Sequence, residues 1–324
     1  MSEPKPDADE QLLASNQAEQ TDLFGPTDED EDSDFAAPEP TPAQVWDLGA
    51  TKRALDELFS LTQQYRSSAA YHDLLQFIAR FRFYSAFNAM LIHLQMPGAR
   101  FALPPHRWAW QYGRHIKEGA RPLVILRPMG PVMFVFDASQ TEGRELPEQV
   151  VKPLEPRGGR VGRQLERTIE NAKRDGVAVH TALLGSQRGG SVCLVTARPG
   201  KVVVFRETDI PIRFELELSE SASRESRYAT LVHELGHLYC GHLGIPDKGR
   251  WPNRYGLPHS VREFEAESVA YLLCGRLGIE NPSAEYLAGY VRDHDQVPPI
   301  SLECVMKSAG LIERMGQETL SLRE

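Results

Sequence analysis

The segment Leu231-Val-His-Glu-Leu-Gly-His-Leu-Tyr-Cys-Gly-His242 constrains this chain more than any other stretch. Leu231, Val232, Leu235 and Leu238 recur at helical spacing. A helix here sets His233 and His237 at i and i+4, on one face and one turn apart, so both imidazoles can hold one metal ion. Glu234, beside the first histidine, can reach a water in an open coordination position, take its proton and pass it to a leaving amine. The pattern predicts a helix from Ala222 to Tyr239, capped by Ser221 or Ser223. Gly236 costs such a helix about 1 kcal/mol against alanine, which predicts a second element passing close by.

A metal site of this kind needs a third protein ligand. Downstream, residues 262–277 form a strongly amphipathic helical pattern carrying three acids. Glu263 and Glu267 are i and i+4 and share a face, whereas Glu265 is turned away from them. Glu263 is assigned as ligand and Glu267 as its support, held against a histidine N–H; the reverse assignment stays open. His242 follows His237 by five residues, where an all-histidine site would need six, so it is read as structural or substrate-facing. Tyr255 and His259, in the loop between the helices, are candidates for stabilising an oxyanion. Ligation by two histidines and a glutamate suits Zn2+.

The charge is unevenly spread. Residues 1–40 hold thirteen acids and one lysine, a balance of −12 against −9 for the whole chain, which leaves the remainder at +3. Residues 1–42, with the run Asp28-Glu29-Asp30-Glu31-Asp32, are expected to be a disordered acidic tail. From Ala43 to about Leu94 the pattern is helical: Leu55, Leu58, Phe59 and Leu61, then Leu74, Leu75, Phe77, Ile78 and Phe81. Phe83–Gln95 and Trp108–Lys117 are predicted as further helices, and Leu123–Arg127 and Val132–Phe136 as strands around a Pro128–Pro131 turn. After a connecting stretch rich in Pro, Gly and charge, a helix is predicted over Val161–Lys173. Strands are predicted over Val192–Thr196, Val202–Phe205 and Ile212–Leu218. The fold class expected is α+β.

The four cysteines are widely spaced, with no CxxC pair, which argues against a disulfide framework and a cysteine-ligated zinc ribbon. Cys240 and Cys274 lie in apolar helical sequence and are read as core. No window approaches about 18 consecutive apolar residues, and no basic segment followed by an apolar core opens the chain. No membrane partner and a cytoplasmic location are the expectation.

Tyr228–His237 and the stretch Glu263-Phe-Glu-Ala-Glu-Ser-Val-Ala-Tyr-Leu-Leu273 resemble the ImmA/IrrE family of metallopeptidases. The family's usual pattern is HExxH followed by ExEAN, whose first Glu, a ligand, lands on Glu263; Glu267 stands here where Asn is common. The resemblance implies a zincin-like domain with a small sheet, and a peptide lying along Ile212–Leu218 as edge strand. Phe83–Gln95, Trp108–Lys117, Gly119 and Phe136–Gly143 look like the N-terminal domain of ArdC-type antirestriction proteins, which binds single-stranded DNA and is often fused to such a metallopeptidase domain. Together these imply an acidic tail over 1–42, an ArdC-like domain over 43–145, a connection over 146–180 and a metallopeptidase domain over 181–324.

From Arg80 to Arg127 there are eight Lys or Arg and one acid, Glu118, interleaved with eight aromatic residues. Basic groups can follow phosphates while aromatic faces stack on bases. Arg82, Arg100, Arg107, Arg114, Lys117 and Arg121 are the candidates for phosphate contact, and at least half the aromatics are expected in the core. Two functions follow: a zinc-dependent endopeptidase with associated single-stranded DNA binding, its protein substrate unidentified, or a DNA-binding antirestriction protein whose metal domain is structural or regulatory.

Overall fold

Helix α1 (Ser68–Arg80) shows why the first half folds onto the second. Tyr71, Leu74, Leu75 and Ile78 fall at i, i+3, i+4 and i+7 and are all buried. A computed structural model describes residues 65–127, 130–147, 159–183, 190–194, 201–244, 251–279 and 282–323. The expected acidic tail, the helical pattern through Leu55, Leu58, Phe59 and Leu61, the start of the Pro128–Pro131 turn and residues 148–158 of the connection lie outside the described residues.

The order continues with α2 (Ala86–Gln95), β1 (Ala102–Leu103), α3 (Pro105–Tyr112), β2 (Arg114–Ile116), β3 (Leu123–Arg127), β4 (Gly130–Asp137) and β5 (Thr141–Gly143). Ser85 caps α2, its hydroxyl accepting from Asn88 N at 3.3 Å. The helix predicted to run from Trp108 to Lys117 stops at Tyr112. Gly113 takes a left-handed conformation (φ +59°) that ends the helix and turns the chain into β2, antiparallel to β5. β1, β4 and β3 form an antiparallel sheet in that order. Two amides on one face of α2 pair with its β3 edge: Asn88 with both backbone groups of Leu126 (2.9 and 3.0 Å), and Gln95 with both of Val124 (2.9 and 2.8 Å). The edge strand is thereby covered without a further strand.

The second half opens with α4 (Gln164–Ala172), β6 (Val177–Ala182), β7 (Gly190–Leu194), the hairpin β8 (Val202–Phe205) and β9 (Thr208–Pro211), and β10 (Phe214–Ser219). Four helices follow: α5 (Arg224–Tyr239), α6 (His259–Leu277), α7 (Pro282–Asp293) and α8 (Leu302–Gln317). Phe214, Leu216 and Leu218 are buried while Glu217 is exposed, the alternation of a strand with one wet face. The sheet order is β6-β10-β7, with β10 parallel to β6 and antiparallel to β7. β10 is therefore central, and the edge role expected of Ile212–Leu218 passes to β7. Alternation of apolar residues reports a wet face but not a strand's place in the sheet.

The whole is an α+β fold, and the described residues belong to one compact unit, Thr51–Glu324. Leu74, Ile78 and Met90 share a single hydrophobic core with Leu231, Leu272 and Met306, so the segments expected as separate domains do not have separate cores. Arg276 of α6 joins them through hydrogen bonds to the carbonyls of Ile78 (3.0 Å), Phe81 (3.1 Å) and Tyr84 (2.6 Å), and through an ion pair with Glu313 of α8 at 2.5 Å. Tyr71 of α1 donates to Ser268 of α6 at 3.0 Å.

Candidate metal centre

Ser223 caps α5, accepting from Ser226 N at 3.1 Å. The helix buries Tyr228, Leu231, Val232, Leu235 and Leu238 and leaves His233, Glu234 and His237 half-buried. Gly236 faces α6: a Cβ there would stand 3.3 Å from Ala266 Cα and 3.3 Å from Val269 Cβ. The glycine between the histidines thus admits the helix that carries the acids.

His233 Nε2 and His237 Nε2 lie 3.2 Å apart. Glu263 approaches both, Oε1 at 3.4 Å from His237 Nε2 and Oε2 at 3.7 Å from His233 Nε2. Two donors about 2.0–2.1 Å from one tetrahedral ion are about 3.3 Å apart, so these three side chains fit a single small cation. Glu267 is not with them; its Oε1 faces the other nitrogen of His233, Nδ1, at 3.7 Å. A second cluster, Cys240, His242 and Glu265, is fully buried, but the Arg254 guanidinium holds both oxygens of Glu265. That cluster already contains its cation.

The electrostatics follow from burial and proximity. The hydrogen bond from His237, with both histidines and His259 near by, depresses the Glu263 carboxyl to about 2. Burial would lower His233, but Glu267 and the neighbouring carboxylates outweigh it and raise that imidazole. For His237 burial prevails and the value falls. Burial raises Glu234, against the pull of His233 and of a hydrogen bond from the Val192 backbone on β7. Glu267 stays below its ordinary value despite burial, because His233 and the Ser283 hydroxyl favour its charged form.

Behind the histidines lie His242, expected to be structural or substrate-facing, and Glu265, which sequence reasoning gave no role. His242 and Glu265 are completely buried. His237 Nδ1 meets His242 Nδ1 at 3.0 Å, and His242 Nε2 meets Glu265 Oε2 at 2.8 Å. Glu265 does point away from Glu263, as its spacing requires, but into the core. A carboxylate on the apolar face of a helix demands buried partners, and that was the available signal. Tyr286 of α7 was also missed; burial and the nearby Glu267 and Glu263 charges raise its hydroxyl. Tyr255 and His259 are 69% and 78% exposed, and only His259 reaches the acids, its Nε2 3.4 Å from Glu263 Oε1.

The six basic candidates divide. Arg82 donates to Gly275 O at 3.1 Å. Arg114 bonds Thr141 Oγ1 at 2.8 Å, Thr141 O at 2.7 Å and the Arg144 carbonyl. Arg107 is half-buried, whereas Arg100, Lys117 and Arg121 are exposed. Among the aromatics Phe81, Tyr84, Phe101 and Trp108 are core, while Trp110 is 83% exposed.

No family model matches the chain, and no curated protein matches it. Among solved structures it is similar to crystal structures of the antirestriction ArdC protein from the R388 plasmid. The metal-free form is 18% identical, with a TM-score of 0.33, over 72% of this chain and 83% of that one. The Mn(II)-bound form is 19% identical, with a TM-score of 0.34, over 73% of this chain and 84% of that one.

Proposed function

We propose that this protein is a zinc-dependent endopeptidase of zincin-like architecture, with His233, His237 and Glu263 as metal ligands and Glu234 as general base. The observation that carries the proposal is the 3.2 Å approach of the two Nε2 atoms, with both Glu263 oxygens within 3.7 Å. When bound, the ion lowers the pKa of a water and polarises a carbonyl. Glu234 takes a proton from the attacking water as the new C–O bond forms, and delivers it to the amine nitrogen as the C–N bond breaks. A burial-raised carboxyl suits this exchange, because it holds the proton better than an exposed one and still releases it. Glu267 steadies the His233 ring from behind. β7, whose outer edge is unpaired among the described residues, offers an extended peptide a strand to pair with beside Glu234.

The test combines metal analysis with Glu234→Gln. The variant should retain its zinc and lose hydrolysis of a quenched fluorogenic peptide pool by about 10²–10⁴-fold. Retained zinc with undiminished hydrolysis removes the peptidase assignment.

A second reading, single-stranded DNA binding, is favoured by the exposure of Trp110 in the segment that holds eight basic residues and one acid. It predicts that replacing Arg100, Lys117 and Arg121 together by Gln weakens binding to a labelled oligodeoxynucleotide and flattens its salt dependence. Trp110→Ala should weaken it by about 1–3 kcal/mol. If this binding carries the biological role and the metal is structural, Glu234→Gln leaves antirestriction activity intact.

A further inference from the structure

Cys240 closes α5, and Gly241 turns the chain in a left-handed conformation (φ +81°) that places His242 beneath the helix it has just left. A Cβ at Gly241 would lie 1.8 Å from Pro252 O, so the turn admits no side chain. His242 N returns to His237 O at 3.0 Å, and Arg254 N reaches Gly241 O at 2.8 Å. The two imidazoles then meet through Nδ1, and the second one abuts Glu265.

With a metal ion on His237 Nε2, hydrogen-bond accounting determines the direction of every proton in this chain. Glu265 receives four donors: Arg254 Nη1 at 2.5 Å and His242 Nε2 at 2.8 Å on Oε2, with Arg254 Nη2 at 2.6 Å and Ser301 N at 2.7 Å on Oε1. A carboxylate only accepts, so His242 carries a proton on Nε2, and a His237 imidazole that gives Nε2 to a metal ion carries its own proton on Nδ1. Nδ1 of His242 is then a lone pair. Only a lone pair there can accept the His237 Nδ1–H at 3.0 Å. The lone pair of His237 is left on Nε2, toward His233 and Glu263.

We infer that Arg254, Glu265 and His242 are positioning residues that lock His237 in the Nδ1–H tautomer, the form that leaves Nε2 free to bind a metal. The inference rests on His233, His237 and Glu263 being the ligands. It makes metal affinity depend on the 251–258 loop and on Ser301 ahead of α8, neither of which touches the cation-sized gap itself.

Full-length, zinc-loaded protein labelled with 15N-histidine tests this directly. Long-range 1H–15N spectra, assigned by single substitutions, should show His237 protonated on Nδ1 and His242 on Nε2. Zinc titration against a chromogenic chelator supplies the second readout. His242→Phe keeps a ring but no acceptor and should weaken zinc binding about 10–100-fold. His242→Asn places an oxygen where Nδ1 stood and should restore most of the affinity. Glu265→Gln sets an amide N–H against donors and should resemble the phenylalanine variant. If either fails to fold, the wild-type tautomers and the asparagine variant still decide. A proton on Nδ1 of His242, or a folded His242→Phe that binds zinc like wild type, overturns the inference. Zinc binding with the stated tautomers but no peptide cleavage upholds it and removes the peptidase assignment alone.

Discussion

Glu234 carries opposed demands. Burial raises its carboxyl, so the folded chain holds that proton more tightly than the unfolded chain does. For a carboxyl raised in this way the sign is the reverse of the usual one. Its ionised form penalises folding above its unfolded pKa of about 4.3, and the penalty fades as pH falls. Metal-free Glu234→Gln should therefore melt at a higher temperature than wild type near neutral pH, with the difference vanishing toward about pH 4. Thermal scans at several pH values check this, and a pH-independent difference would refute it. The two acids of α6 should also separate by experiment. Glu263→Gln should abolish stoichiometric zinc binding, whereas Glu267→Gln, at a residue that faces His233 from its far nitrogen, should weaken it about 10–100-fold.

At the scale of elements, the site exists because α5 and α6 pack closely enough for side chains from both to converge. Gly236 sets that distance, its missing Cβ facing Ala266 and Val269 at 3.3 Å. Gly236→Val should overpack the interface by about 1–3 kcal/mol and weaken zinc binding together with it. Denaturant unfolding and metal titration on one preparation would show both changes; full stability with full affinity would contradict the account. Among the described residues, no helix is long and apolar enough to cross a membrane.

For the molecule as a whole, Arg276 ties the chain around residues 78–84 to α6 and α8. It is buried, and its loss strands Glu313 and the carbonyls of Ile78, Phe81, Arg82 and Tyr84 together. Arg276→Met should cost about 3–5 kcal/mol. Because one core serves both halves, the unfolding of the Trp108 and Trp110 region should coincide with loss of the metal helices. Tryptophan fluorescence, read in a Trp46→Phe, Trp251→Phe background, and far-ultraviolet dichroism should give superimposable curves, with and without Arg276→Met. Two separated transitions would show independent domains instead.

The sequence by itself determined the local half of this protein. Helical period located α1, α5 and α6, with a serine cap for α5, and the i, i+4 rule alone put His233 with His237 and Glu263 with Glu267, because these relations are internal to one helix. It also placed Glu265 on the opposite face from those acids. Tertiary structure decided which histidine nitrogen each acid faces, that β10 lies inside its sheet, that the two halves share one core, and that His242 and Glu265 form a buried pair. Each of these depends on how separate elements lie against one another. Residues far apart in the chain make those contacts, and no period within a single element encodes them.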